Sequence, residues 1–355
     1  IKMKFIKYLI IGLIILGALT FGLFQISAVQ DLLAKKTIEQ QLQQENLSSD
    51  EDALSALVCG SRSPFPDPNR AETCILIKAG SDFYVVDIGA GSAMNLQMWQ
   101  IDLSKLKAVF LSHLHSDHMS DLPGLHFNSW LAGRSSKLKV YGPEGVEDLT
   151  NGFDQAYSMD TKFRVDHHGE GVLPLSVAGY EPITLNPNGE IIIDNGNLKV
   201  TAFTVDHEPI EPAFGFRFDY KGRSIVISGD TLYSENLVQN SKGVDVLFHD
   251  AISLDTVHIF REVAYEQGNK TMTKILDDIQ TYHENTIRVA EIANEVEAGY
   301  LVYYHLIPSP RSDLAENIWT RGINEVRSKN WKLSKDGTLV TLPVGTDEII
   351  FDTIE

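Results

Sequence analysis

Hydrophobic and polar positions divide this chain into three stretches of different grain. From Tyr8 to Phe24 no charged residue occurs, and Gln25-Ile26-Ser27-Ala28-Val29 prolongs the run with two polar interruptions. A segment this long and apolar on every side predicts a helix able to cross a bilayer. Lys2, Lys4 and Lys7 precede it and predict an N-in, C-out orientation, with the remainder outside the cytoplasm on the periplasmic or extracellular side. The rival is a signal peptide cleaved after Ile26-Ser27-Ala28, which gives a secreted protein; the length of the apolar core favours an uncleaved anchor over 1–29. Residues 30–52 are polar, with a thin apolar stripe of Val29, Leu32, Leu33, Ile38 and Leu42 at roughly helical spacing. This predicts a short stalk, and a homodimer is compatible with so brief a stripe without being specified by it.

From residue 53 onward, short apolar runs alternate with turn residues. Strands are predicted at 53–59, 73–79, 83–88, 108–111, 137–141, 198–205, 214–220, 224–228, 244–248, 300–304 and 338–341. Helical spacing appears at 285–296 and 314–326. Strands first, then strand–helix alternation, predict sheets covered by helices, with one catalytic domain over 53–355.

The composition narrows the function. Of 355 residues, 43% are hydrophobic and 22% charged, as in a folded globular protein. A net charge of −18 disfavours a nucleic acid as partner and points to a small-molecule substrate. The two cysteines, Cys59 and Cys74, cannot form a four-thiolate zinc site. They could pair if the domain is exported, since their segments read as neighbouring strands; two reduced, buried thiols are the expected state.

The chemistry concentrates at His113-Leu114-His115-Ser116-Asp117-His118, directly after an apolar run. Three imidazoles and a carboxylate within six residues are metal ligands by type. His113 and His115 point the same way in an extended segment. Asp117 and His118, in the following turn, can face a second ion. A two-metal site needs about three further ligands. His207, Asp230 and His305 each follow a buried-looking strand, where ligands are usually mounted.

Several separated motifs in this order resemble the metallo-β-lactamase superfamily, in the branch of ribonuclease Z and related phosphodiesterases. Cys59-Gly60-Ser61-Arg62 resembles the branch's opening turn, Asp87-Ile88-Gly89 its first motif and His113 to His118 its second. Tyr141-Gly142-Pro143 resembles the turn after the next strand. His207 with Phe214-Gly215-Phe216 resembles the third motif, Gly229-Asp230-Thr231 the fourth and His305 the fifth. His249-Asp250-Ala251 stands for a His-Glu-Ala motif, and His283-Glu284-Asn285 stands where the branch carries His-Ser-Thr. The resemblance implies an α/β (α+β) fold, the four-layer αββα metallo-β-lactamase sandwich, here preceded by the N-terminal membrane helix.

The resemblance also implies a dinuclear zinc site. His113, His115 and His207 would hold one ion, Asp117, His118 and His305 the other, and Asp230 would bridge them; manganese or iron could occupy the same ligands. Asp117, Asp230 and His283 are the residues expected to take part in the reaction. His283 would contact substrate and help the leaving group depart. Asp87 would fix the ligand loop through hydrogen bonds, and His249 and Asp250 would orient ligands or His283, or simply pack in the core. His126, His167, His168 and His258 match no motif and read as surface or pocket-rim residues.

The long basic arm with which ribonuclease Z grips transfer RNA is missing. Between His207 and Asp230 the chain reads as a plain hairpin turning at Lys221-Gly222. The expected activity is therefore hydrolysis of a phosphodiester or related small ester. A lactone or β-lactam hydrolase is the alternative on the same metals, and a metal-dependent sensor without turnover is the alternative of another class. The stretches 150–188 and 253–282 are longer than metal ligation demands. They would wall a pocket or pack as extra helices.

Overall fold

The computed structural model describes residues 2–43, 47 and 52–354. The chain divides into two compact units, residues 1–46 and 47–355. The first holds two helices, Lys2–Phe24 and Ser27–Gln43, and Gln30 Nε2 donates to the Phe24 carbonyl at 2.8 Å across the turn between them. Among the described residues no helix is long and apolar enough to cross a membrane. The expected membrane helix over 1–29, and a membrane partner with it, are not supported. Three lysines, Lys2, Lys4 and Lys7, fall inside the first helix. Part of the expected stalk, 44–46 and 48–51, lies outside the described residues.

The second unit carries fifteen strands in two sheets. In chain order they are β1 (Ala53–Gly60), β2 (Cys74–Ala79), β3 (Asp82–Val86), β4 (Leu106–Phe110), β5 (Leu138–Gly142), β6 (Tyr180–Thr184), β7 (Glu190–Asp194) and β8 (Leu198–Val205). Then come β9 (Ala213–Tyr220), β10 (Arg223–Ile227), β11 (Val246–Ile252), β12 (Tyr300–Ile307), β13 (Trp331–Leu333), β14 (Thr338–Pro343) and β15 (Ile350–Thr353). One sheet runs β15-β14-β1-β2-β3-β4-β5-β6 and the other β13-β12-β11-β10-β9-β8-β7.

Side-chain alternation decides which faces meet. On β9, Phe214, Phe216 and Phe218 turn to one side and pack with Phe110 of β4 and Phe248 of β11 in a shared core. The Phe110 ring lies 5.4 Å from Phe216 and 5.7 Å from Phe218, which is edge-on to it. Each such ring, fully buried, contributes about 1.5–3 kcal/mol. Val109 and Leu111 face the opposite side and pack with Leu96, Leu122 and Leu125 of the helices Ser92–Met98 and Leu122–Leu131. On the other sheet, Leu247, Leu301 and Tyr303 meet Val289 and Ile292 of the helix Thr286–Glu295. The result is the expected αββα order of four layers.

The turn at Lys221-Gly222 is the short hairpin that the sequence predicts. Tyr220 pairs with Arg223, and both turn residues have positive φ, 46° and 88°, as a primed two-residue turn requires. Strands β6, β7, β13 and β15 were not predicted. All four sit at or beside a sheet edge, and on the two most open, β7 and β15, no residue is buried, so their apolar alternation is weak. The helix expected over 314–326 is two, Asp313–Trp319 and Ile323–Val326. It breaks at Gly322, whose φ of +83° a helix cannot continue.

The cysteines also differ from expectation: Cys59 and Cys74 form a disulfide rather than two thiols. Cys59 occupies the bulge between Val58 and Gly60 where the β1–β2 register shifts, and its Cα lies 5.0 Å from that of Cys74, within disulfide reach. The bond closes the loop that carries Ser63, Pro64 and Phe65.

Candidate metal centre

The ligand candidates converge at one end of the sandwich. The chain leaves β4 through Leu111, bends at Ser112 and His113, presents His115 in extended backbone, and turns into the short helix Ser116–Met119, which carries Asp117 and His118. Asp87, just after β3, holds this loop in place. Its carboxylate accepts the Ser112 N–H and hydroxyl, both at 2.8 Å, and lies 2.9 Å from His118 Nδ1. The Ile88 N–H donates to the His118 carbonyl at 2.7 Å. Backbone comes so close here that a Cβ on Gly89 would lie 2.1 Å from the Asp117 carbonyl oxygen, so only glycine fits. Ser112 was not singled out in the sequence, yet its hydroxyl also lies 3.1 Å from His113 Nδ1 and 3.2 Å from His118 Nδ1.

The second sheet supplies the other candidates. His207 follows β8, and its Nδ1 lies 2.9 Å from the Tyr282 carbonyl, which leaves Nε2 to face the centre. Asp230 follows β10 across Gly229, where φ is +66° and a Cβ would meet the Phe214 carbonyl oxygen at 2.4 Å. His305 does not follow its strand, as the sequence suggested, but lies inside β12. Its φ is +45°, and the β11–β12 pairing skips from Tyr304 to Leu306 around it. This one-residue bulge turns the imidazole toward the centre without ending the strand.

The distances among the facing atoms test whether a cation fits. Asp230 Oδ2 lies 3.2 Å from His118 Nε2 and 3.3 Å from His305 Nε2. Asp117 Oδ2 lies 3.1 Å from His305 Nε2 and 3.6 Å from His118 Nε2. Ligands about 2.0–2.1 Å from a tetrahedral ion stand roughly 3.3 Å apart, so these spacings suit one. His113, His115 and His207 form a second group, and Asp230 reaches it through His113, 3.9 Å from Nε2. Buried His118 Nε2, His207 Nε2 and Asp230 Oδ1 have no hydrogen-bond partner, although buried polar atoms nearly always have one. The residues present therefore fit divalent cations.

Electrostatics agree. Burial pushes His113 well below the usual histidine range and His207 to about 4, so both rings are neutral and free to ligate. Burial alone would raise Asp117, but His118 and His305 outweigh it and hold the carboxyl at about 2. His118 moves the other way: burial opposes its charge, and the carboxylates of Asp230, Asp87 and Asp117 raise it well above its ordinary value.

His283 stands beside this cluster. Its Nδ1 is 2.8 Å from Asp250 Oδ2, and its ring lies 5.2 Å from His207 and 5.5 Å from His305. Burial would raise Asp250, but hydrogen bonds from His249 and His283 hold it below the usual range. His249 Nδ1 lies 2.7 Å from the Asp250 carbonyl oxygen and 3.1 Å from its Oδ1. Glu284 accepts the N–H groups of Tyr233 and Asn285 and does not line the site.

A cavity of about 230 Å³ opens over Asp117, Asp230 and His305, with His115, Ser116 and His283 at its side. Its remaining wall is Ser63, Pro64, Phe65, Ile279, Tyr282 and Ile307. The stretch 253–282 thus supplies part of a wall, whereas nothing from 150–188 does. Pro64 and Phe65 carried no ligand chemistry to draw attention to them. A larger groove of about 730 Å³ near Trp99, Trp331 and Asp336 contains none of the ligand candidates. His126 corrects another expectation. It is buried, at 3% exposure, beside Arg134 and the Tyr180 ring, because it lies on the inner face of the helix Leu122–Leu131. His167, His168 and His258 are exposed.

Known proteins share this arrangement. Residues 73–306 match the beta-lactamase superfamily domain. Ribonuclease Z of Mycobacterium bovis (strain BCG / Pasteur 1173P2) is 30% identical over 259 residues, covering 72% of this chain and 87% of the relative. Ribonuclease Z of Mycobacterium marinum is 29% identical over 261 residues, with the same coverage. Among solved structures, the metallo-beta-lactamase fold protein YhfI from Bacillus subtilis superposes with a TM-score of 0.60 at 20% identity, over 82% of this chain and 100% of that one. The short form of human tRNase Z gives 0.56 at 22% identity, over 81% and 99%. The relatives' names run against the expectation that a nucleic acid is not a partner. With the superfamily domain matched across both sheets and the candidate ligands gathered at one end of them, this chain belongs to the metallo-β-lactamase superfamily, on its ribonuclease Z-like side, and is a metal-dependent hydrolase.

Proposed function

We propose that the protein uses two zinc ions to hydrolyse a phosphodiester or related small ester. One observation carries this reading: seven ligand residues from two sheets converge, and a histidine backed by a buried carboxylate stands beside them at the cavity wall. His113, His115 and His207 would hold one ion, Asp117, His118 and His305 the other, with Asp230 between them. Such a pair supplies a nucleophile from water at neutral pH and stabilises negative charge on the attacked centre. Asp250 fixes the orientation of His283, so that its Nε2 can pass a proton to the departing oxygen. Asp87 and Ser112 keep the ligand loop from relaxing. The buried disulfide between the only two cysteines favours an oxidising compartment outside the cytoplasm.

A small substrate is favoured over RNA by the bare hairpin at Lys221-Gly222, the net charge of −18 and the absence, among the described residues, of any Lys or Arg from the cavity lining. The apolar part of the wall, Pro64, Phe65, Ile279, Tyr282 and Ile307, also supports a second reading, hydrolysis of a lactone or β-lactam at the same centre. Zinc-loaded protein should be assayed in parallel on bis-p-nitrophenyl phosphate, an acyl-homoserine lactone, nitrocefin and a precursor transfer RNA. Turnover of the diester, lost in Asp230→Ala, is the expected result. Cleavage of the RNA alone would reverse the choice of substrate, and full turnover by Asp230→Ala with its metal content confirmed would refute the mechanism.

A further inference from the structure

We propose that the substrate carries a compact, uncharged apolar group, aryl or branched alkyl, beside its scissile ester bond, and no second charged group. This rests on the reading of the site as a hydrolase of small esters. The cavity has two unlike halves. One is bounded by Asp117, Asp230, His305 and His283, the other by Phe65, Ile279, Tyr282 and Ile307.

The apolar half is preformed. Ile279 and Ile307 are 6% and 2% exposed and belong to one buried cluster with Ile252, Val257 and Leu276, against which Phe65 and Tyr282 pack. The helices Leu254–Glu266 and Lys270–Asp278 back this cluster, and the disulfide-closed loop brings Phe65 to it from the opposite side. A wall held this way gives its apolar surface to a ligand without first ordering itself.

The same wall offers nothing to a second anion. Among the described residues no Lys or Arg lines the cavity. Arg62, beside Ser63, is already engaged: its Nη1 pairs with Glu72 at 3.1 Å and its Nε donates to the Arg70 carbonyl at 2.9 Å. The Tyr282 carbonyl is taken by His207. A phosphate or carboxylate placed here would be desolvated without a partner, whereas an apolar group gains by leaving water. At about 230 Å³ the space is smaller than the roughly 300–1,000 Å³ of drug-sized pockets, which limits the group to about one ring beyond the ester.

Inhibitor binding tests this without requiring turnover. Phenylphosphonate and methylphosphonate should be titrated by calorimetry into the zinc-loaded full chain, its Phe65→Ala variant and its Phe65→Leu variant. Phenylphosphonate is expected to bind wild type about tenfold to a hundredfold more tightly than methylphosphonate, the ratio to fall to within a few-fold in Phe65→Ala, and Phe65→Leu to restore most of it. Equal affinities in wild type, an unchanged ratio in Phe65→Ala, no binding of phenylphosphonate, or tighter binding of a dinucleotide would each overturn the proposal. A phenyl preference without turnover of any ester would support the apolar subsite while refuting the hydrolytic reading on which its placement beside a scissile bond rests.

Discussion

Acidification should destabilise the protein through His126, which belongs to none of the candidate ligand groups. The ring is buried at 3% exposure, and its two nitrogens face donors: Arg134 Nη2 lies 3.1 Å from Nδ1 and the Gly179 N–H 3.3 Å from Nε2. A proton added to the ring finds no acceptor. Burial first, and the Arg134 charge second, push its pKa from 6.5 down to about 3. The unfolded chain therefore binds a proton below 6.5 that the folded chain refuses. Stability from this residue is complete above 6.5 and is lost as pH falls from there toward about 3. Between about pH 7.5 and about pH 5.5 the loss integrates to roughly 1.4 kcal/mol. His126→Gln keeps an acceptor for Arg134 and cannot titrate. Urea unfolding of both proteins with zinc in excess, followed by tryptophan fluorescence at the two pH values, isolates the term, because every other group is common to both. Wild type should lose about 1.4 kcal/mol more than the variant over that interval. Parallel losses would refute the reasoning.

Other perturbations test the centre and its frame. Gly229→Ala forces a Cβ to 2.4 Å from the Phe214 carbonyl at a positive φ. It should lower Tm and release metal, measured by thermal scan and elemental analysis. Ser112→Ala removes the hydroxyl between Asp87, His113 and His118. Zinc affinity should fall about tenfold to a hundredfold in a competition assay with a chelating dye, with the fold intact by circular dichroism. Replacing both Cys59 and Cys74 by alanine should cost about 3 kcal/mol in denaturant unfolding, as for a closed loop of roughly this length. Chelation of metal from the wild type should lower Tm reversibly, because ligands that bind only the folded state stabilise it.

How far the sequence could be read depends on where each residue's signal comes from. Interior strands such as β8 and β9 repeat apolar side chains at every second position because one face packs into the core between the sheets, so they were legible to within a residue or two. The edge strands β7 and β15 face water and lack that pattern. The convergence of the candidate ligands was legible because imidazoles and carboxylates are conspicuous after apolar runs. Ser112 and Phe65 were not, since a serine and a phenylalanine acquire their meaning only from what the fold places against them. The bulge at His305 has the same origin, being set by pairing with β11 rather than by any local residue. For the apolar run near the N-terminus, no helix among the described residues is long and apolar enough to support the membrane span that the sequence pattern suggests.

The origin of the donor atoms has a mechanical consequence. His113, His115, Asp117 and His118 hang from one sheet, while His207, Asp230 and His305 hang from the other. Neither half owns a full complement, so any ion seated there acts as a rivet across the seam of the sandwich. Scarcity of metal would then do more than idle the enzyme. It would unfasten the mouth of the molecule, and hydrogen exchange should quicken on both lips of that seam together.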